Sequence, residues 1–222
     1  MLDIFDILGP VMVGPSSSHT AGAVRIGRMA RTLLGEQPVK AEIGLHGSFA
    51  ETGQGHGTDR ALVAGLLGMK PDDLEIPCSF ELAAEQGLDY VFKTVQLREA
   101  HPNTAVLTVQ GADGKKLTVQ AASTGGGRIR VDSLNGVEVS FTGAFNTLVV
   151  HHQDVAGELS RITNELAVGG VNIANMSLCR NRRGGDVLTI IETDHKLQAE
   201  VVQRIGSLYA VDDVTYYEKE DA

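Results

Sequence analysis

Three consecutive hydroxyls and an imidazole follow a glycine-proline turn in Gly14-Pro15-Ser16-Ser17-Ser18-His19-Thr20-Ala21-Gly22. Serine and threonine are favoured helix N-caps, and the first backbone N–H groups of a helix have no intrahelical partner. Together with the positive end of the helix dipole, such donors suit a carboxylate or a phosphate. Ser16, Ser17, Ser18, His19 and Thr20 are therefore candidates for an anion site, set against the plainer reading of a solvated turn with a good cap. A second concentration of polar chemistry spans residues 46–59, His46-Gly47-Ser48-Phe49-Ala50-Glu51-Thr52-Gly53-Gln54-Gly55-His56-Gly57-Thr58-Asp59. Its four glycines suggest a loop that lets backbone approach a ligand closely, ending with Thr58 or Asp59 as an N-cap. Here the plainer reading is a glycine-rich strand-to-helix turn.

The elements that must carry these residues follow from periodicity. A helix is expected from Ala21 to about Leu34, with Val24, Ala30 and Leu34 near one face and Arg25, Arg28 and Arg31 on others. Val39, Ala41, Ile43 and Leu45 alternate with Lys40, Glu42 and Gly44, the mark of a strand delivering the chain to the second polar stretch. A short helix over 60–67 is stopped by Gly68 and Pro71. Further on, a helical turn is expected over 81–86 and strands over 90–92, 104–110, 117–121, 129–131 and 137–141, with Asp113-Gly114 and Asn135-Gly136 as tight turns. Ser123-Thr124-Gly125-Gly126-Gly127 lacks the lysine and spacing of a nucleotide loop. From Asn146 onward the pattern becomes a compact β-α-β-β-α-β alternation, the ferredoxin-like order, with a domain boundary at 143–146.

Composition narrows the function classes. A chain of 222 residues, 42% hydrophobic and 21% charged, reads as two globular domains of ordinary size. Its net charge of -9, with no block of lysine or arginine, argues against a nucleic-acid partner. No membrane-spanning run and no signal-peptide pattern stand out, so a cytoplasmic location and no membrane are expected. Cys78 and Cys179 lie far apart in the chain and His101, His151, His152 and His195 fit no zinc spacing, so no metal is assigned to this chain.

The C-terminal part resembles an ACT domain, the small ligand-sensing module of amino-acid metabolism, through His152-Gln153-Asp154-Val155-Ala156-Gly157-Glu158-Leu159 and Val171-Asn172-Ile173-Ala174-Asn175. It is especially similar to the serine-sensing domain of phosphoglycerate dehydrogenase. That resemblance implies an amino-acid effector held by His152, Asp154 and Asn172, with Gly157 letting backbone close in, and a homodimer through the ACT domain. The chain departs from the pattern at Ala156, where the family has proline, and at Asp154, where it has asparagine; an aspartate there would repel an effector carboxylate.

The N-terminal part resembles the β domain of iron-sulfur-dependent L-serine dehydratase, through Phe5-Asp6-Ile7-Leu8-Gly9-Pro10-Val11-Met12-Val13, GPSSSHTAG and GSFAETGQGHGTD. The resemblance implies an α/β and α+β chain: a mixed α/β serine dehydratase β domain over 1–143, then the ACT domain over 146–222. It further implies a partner, a cysteine-rich α subunit that carries a [4Fe-4S] cluster, and L-serine as substrate, deaminated to pyruvate and ammonia. On that footing Ser16, Ser17, Ser18 and Thr20 are candidates for anchoring the carboxylate. His56 is the candidate for proton transfer, since an imidazole titrates near working pH, with Thr58 and Asp59 supporting it. The roles of His19 and His56 can be exchanged, and the base can also come from the α subunit. A non-catalytic reading also stands: an anion-binding domain coupled to an amino-acid sensor, similar to the regulatory half of phosphoglycerate dehydrogenase. A pyridoxal phosphate dehydratase would need a lysine in a fitting loop, and none is found.

Overall fold

A computed structural model describes residues 11–180 and 182–219. The segment from Phe5 to Pro10, part of the motif that opens the chain, lies outside the described residues. By backbone packing the chain divides between Gly136 and Val137 into two compact units.

The first unit is one sheet covered by helices. Strands β1 (Lys40–Leu45), β2 (Asp89–Thr94), β3 (Thr104–Gln110), β4 (Lys116–Gly125) and β5 (Arg128–Leu134) run in the spatial order β2-β1-β3-β4-β5. Only β1 and β2 pair in parallel; each following pair is antiparallel. The alternation expected around Ile43 is real, with Ala41 and Ile43 buried and Lys40 and Glu42 exposed. Helix α1 (Gly22–Leu34) lies on β3, β4 and β5, burying Val24, Ile26, Met29, Ala30, Leu33 and Leu34. Gly35 ends it in the left-handed conformation (φ 90°), its N–H capping the carbonyls of Arg31 and Thr32.

The stretch 46–59 is not the glycine-rich loop expected. Ser48–His56 forms a helix, α2, and Thr58–Leu67 forms another, α3, so that the helix expected over 60–67 starts earlier. Two of the four glycines do turn work at the helix ends: Gly47 (φ 54°) opens α2, and Gly57 (φ 70°) closes it and opens α3. Gly57, and neither Thr58 nor Asp59, is the N-cap of α3; Thr58 is its first residue. Helix α4 (Ser79–Glu85) follows. Helices α1 and α3 meet backbone to backbone at Gly27 and Gly65: a Cβ built on Gly65 would lie 2.9 Å from the Gly27 Cα, and one on Gly27 2.9 Å from the Gly65 Cα.

The second unit begins with β6 (Val137–Phe141) and continues as β7 (Asn146–Gln153), α5 (Glu158–Val168), β8 (Ile173–Arg180), β9 (Asp186–Thr193), α6 (Ala199–Gly206) and β10 (Val211–Tyr217). Strands β10, β7, β9 and β8 lie in that order, antiparallel throughout, as the β-α-β-β-α-β succession requires of a ferredoxin-like sheet. Its core gathers Leu148, Val150, Ile162, Leu166, Ile191, Leu197, Val201 and Ile205. Among the described residues no helix is long and apolar enough to cross a membrane.

Candidate active site

The polar run before α1 does not join it as a simple capped helix. Ser17–Ala21 forms one wide π turn, with Ser16 as its N-cap in extended conformation. The Ser16 Oγ accepts the His19 backbone N–H at 3.2 Å, and the Thr20 N–H reaches the Ser16 carbonyl at 2.8 Å. A π turn at a helix start shifts the side chains that follow it and is a frequent device at functional sites. Here it directs the His19 ring toward α2.

Across that gap His19 Nε2 lies 3.2 Å from Ser48 Oγ and 3.1 Å from Thr52 Oγ1. The Thr52 hydroxyl donates to the Ser48 carbonyl at 2.8 Å. On the other side of the ring, Nδ1 is 3.5 Å from Ser16 Oγ. Phe49, fully buried, lies 5.3 Å from the imidazole in an edge-on arrangement. The His56 ring stands 5.0 Å from that of His19, tilted by 38°. Ser48, Thr52 and His56 recur at intervals of four, which places them on one face of α2. Burial, and then the neighbouring His56, push the His19 pKa below the ordinary histidine value. Both effects favour the neutral form of His19, against the bond to Ser48, while His56 stands exposed.

The remaining residues expected at this site are placed differently. Ser17 and Ser18 are half-buried on the π turn. Thr20 is buried beneath Gly14, where a Cβ would come within 2.5 Å of its Oγ1. Thr58 is fully buried at the start of α3. The hydroxyls of Thr20 and Thr58 have no hydrogen-bond partner among the described residues and are shut off from the surface. Asp59 uses one carboxylate oxygen to accept the Arg60 N–H at 2.8 Å. Ser48 and Thr52 were not singled out from the sequence. Their signal was the four-residue spacing to His56, which is visible only once 48–56 is read as a helix.

In the second unit, each residue expected to hold an effector has an internal partner. His152 is buried, with Nδ1–H donating to the Gln153 carbonyl at 2.9 Å and Nε2 accepting from the Thr189 hydroxyl at 2.8 Å. Asp154 accepts from Arg180 and from the Gly184 N–H, both at 2.8 Å. The Gly184 bond, with Arg180, holds its carboxyl below the usual carboxylate range. Asn172 donates to Asp194. Gly157 (φ 87°) caps α5, a conformation that favours glycine.

Two further groups bear on metal chemistry. His151, Asp186 and Asp212 bring ligand atoms within 4.8 Å of one another, but the Gln153 amide donates to both carboxylates. Iron-sulfur clusters are held by several converging thiolates. Cys78 is an exposed free thiol of the first unit and Cys179 a half-buried one on β8 of the second. These residues do not fit a cluster.

The site thus joins His19 on the π turn to His56, Ser48 and Thr52 on one face of α2, in an α/β unit that a ferredoxin-like unit follows along the chain. Residues 1–87 match the family model described as serine dehydratase beta chain, a span that contains the whole His19–His56 cluster. The chain is 39% identical over 212 residues to the probable L-serine dehydratase, beta chain, of Bacillus subtilis, covering 96% of each. It is 39% identical over 194 residues to the L-serine dehydratase, beta chain, of Peptoniphilus asaccharolyticus, covering 87% of each. A weaker likeness, 24% over 188 residues, joins 84% of the chain to 35% of the D-3-phosphoglycerate dehydrogenase of Bacillus subtilis. The chain belongs to the serine dehydratase beta chain family.

Proposed function

We propose that the chain acts as the β subunit of an L-serine dehydratase, deaminating L-serine to pyruvate and ammonia together with a cysteine-rich α subunit. In this reaction the Cα proton and the β-hydroxyl leave as water; the enamine that remains rearranges to an imine, which water hydrolyses to the keto acid and ammonia. A base at Cα, an anchor for the carboxylate and assistance to the departing hydroxyl are required. A [4Fe-4S] cluster in the partner would supply the Lewis acid for that hydroxyl. Cys78 and Cys179 offer it no site here.

The observation that carries the reading is the pairing of His19 and His56 with Ser48 and Thr52. His56, exposed at the end of α2, takes the proton; an exposed imidazole can exchange it with solvent and regenerate. His19, half-buried against α2, joins Ser16, Ser17 and Ser18 at the π turn in anchoring the carboxylate. Thr20 and Thr58, with closed-off hydroxyls, support the turn and α3 from beneath. The functional domains on this reading are 1–143 and 146–222, with β7 opening the ferredoxin-like sheet, whereas backbone packing divides the chain earlier, between Gly136 and Val137. With His152, Asp154 and Asn172 bound internally, the ACT domain serves first as an assembly surface between copies of this chain. An amino-acid effector there would have to displace those bonds.

The test is anaerobic purification of the chain alone and with its cysteine-rich partner, followed by assay of pyruvate from L-serine. Activity confined to the brown, reconstituted mixture supports the reading. No activity in any mixture, with an amino acid binding the isolated chain, makes it a regulatory module, the alternative that the likeness to phosphoglycerate dehydrogenase favours.

A further inference from the structure

We infer that Thr52 is a positioning residue that fixes His19 in the tautomer with its proton on Nε2, making His19 a hydrogen-bond donor. The role follows from how the hydroxyl protons are shared. The Thr52 hydroxyl lies 2.8 Å from the Ser48 carbonyl, which can only accept, so its single proton is used there. Toward His19, 3.1 Å away, the Thr52 oxygen then has only lone pairs to offer, and Nε2 must carry the hydrogen. On the far side the Ser16 oxygen already accepts the His19 backbone N–H, so its own proton is free to point at a bare Nδ1. In the opposite tautomer Nε2 would be bare, and Thr52 would have to give up the Ser48 carbonyl to donate to it. The Ser48 hydroxyl, 3.2 Å from Nε2, accepts a share of the same hydrogen and keeps its own proton for a ligand.

The consequence deepens the serine dehydratase reading, on which it rests. With its hydrogen held by Thr52 and Ser48, Nε2 of His19 has no lone pair to offer. His19 does not accept the Cα proton through that nitrogen, and the acceptor is then His56. Thr52 thus separates the roles of two imidazoles whose rings are only 5.0 Å apart.

The experiment labels the histidines of the full chain with nitrogen-15 and reads each imidazole's tautomer by NMR. Loss of one spin system in a His19→Gln variant assigns His19 among the seven histidines. The expected result is an Nε2–H tautomer in the native chain, retained in Thr52→Ser and moved toward Nδ1–H in Thr52→Val, which keeps the shape and loses the hydroxyl. In the complex with the α subunit, Thr52→Val should lose about 10- to 100-fold in kcat, with Thr52→Ser near native. An Nδ1–H tautomer in the native chain overturns the inference. So does a Thr52→Val variant with its tautomer unchanged, or one with a shifted tautomer and native kcat. If the tautomers behave as expected while no mixture makes pyruvate, the assignment of function fails and the role of Thr52 toward His19 stands.

Discussion

Alanine at Gly65 should separate the elements that build the site. Glycine costs about 1 kcal/mol relative to alanine in a helix interior, so propensity alone would make Gly65→Ala stabilising. The crossing of α1 and α3 reverses the sign. A Cβ on Gly65 would lie 2.8 Å from the Arg28 nitrogen and 2.9 Å from the Gly27 Cα, and nearer still to the Val24 carbonyl oxygen. Ordinary contacts need about 3.5–4.0 Å, so the helices must part by roughly 1 Å, and backbone has no rotamer through which to yield. Overpacking costs about 1–3 kcal/mol. At this backbone crossing the upper end applies, leaving a net loss of about 2 kcal/mol and a fall in Tm of roughly 8 °C for a unit of this size. Because α1 continues the π turn of His19 and α3 follows α2 through Gly57, the same displacement breaks the bonds of 3.1 and 3.2 Å from Nε2. Misplacement by about 1 Å can cost on the order of 100-fold in rate. Urea unfolding and pyruvate assay of the reconstituted complex are the measurements. Gly55→Ala is the control: that glycine is in α2 with open space around its Cβ position, and alanine should stabilise by up to about 1 kcal/mol. A Gly65→Ala protein as stable and active as the native one would refute the argument.

Further outcomes follow from the site. Burial, and then His56, lower the pKa of His19 in the folded chain, so the unfolded chain binds its proton first as pH falls. This contribution to stability is complete above the ordinary histidine value of about 6.5 and is lost between that value and the lower folded one. Unfolding curves from pH 7.5 downward should therefore show a loss of stability that His19→Gln lessens; an identical pH dependence in the variant would contradict the burial argument. The two thiols should be dispensable. A Cys78→Ser, Cys179→Ser double variant should give a complex with native cluster absorbance and native kcat, whereas loss of the cluster would place a ligand on this chain. Burial also raises the Cys179 pKa, so a thiol reagent should label exposed Cys78 first in the native chain, as mass spectrometry of the modified peptides would show.

Much of this organisation was readable from residue pattern because local and global preferences agree. The strands over 104–110 and 137–141 have the expected bounds, since their alternation meets a sheet with one buried face. In the second unit Ile162, Leu166, Val201 and Ile205 fall on helix faces that close one core. The stretch 46–59 misled for a physical reason. Glycine content argues against helix on average, yet Gly47 and Gly57 sit at the ends with positive φ, while Gly53 and Gly55 are accommodated inside α2. Missing that helix hid Ser48 and Thr52. The contact of His19 with α2 spans 29 and 33 positions and is set by the tertiary packing of the turn, which no local signal encodes. The same holds for the closed-off hydroxyls of Thr20 and Thr58, which looked like ligands because their types suit one.

The most direct measurement of the account is kcat for L-serine in a reconstituted complex carrying His56→Ala, with cluster absorbance and subunit assembly recorded alongside. The account predicts loss of most of kcat with both the cluster and the complex retained. Native kcat would contradict it by showing that the proton goes elsewhere, and loss of the cluster or of assembly would make His56 a structural residue.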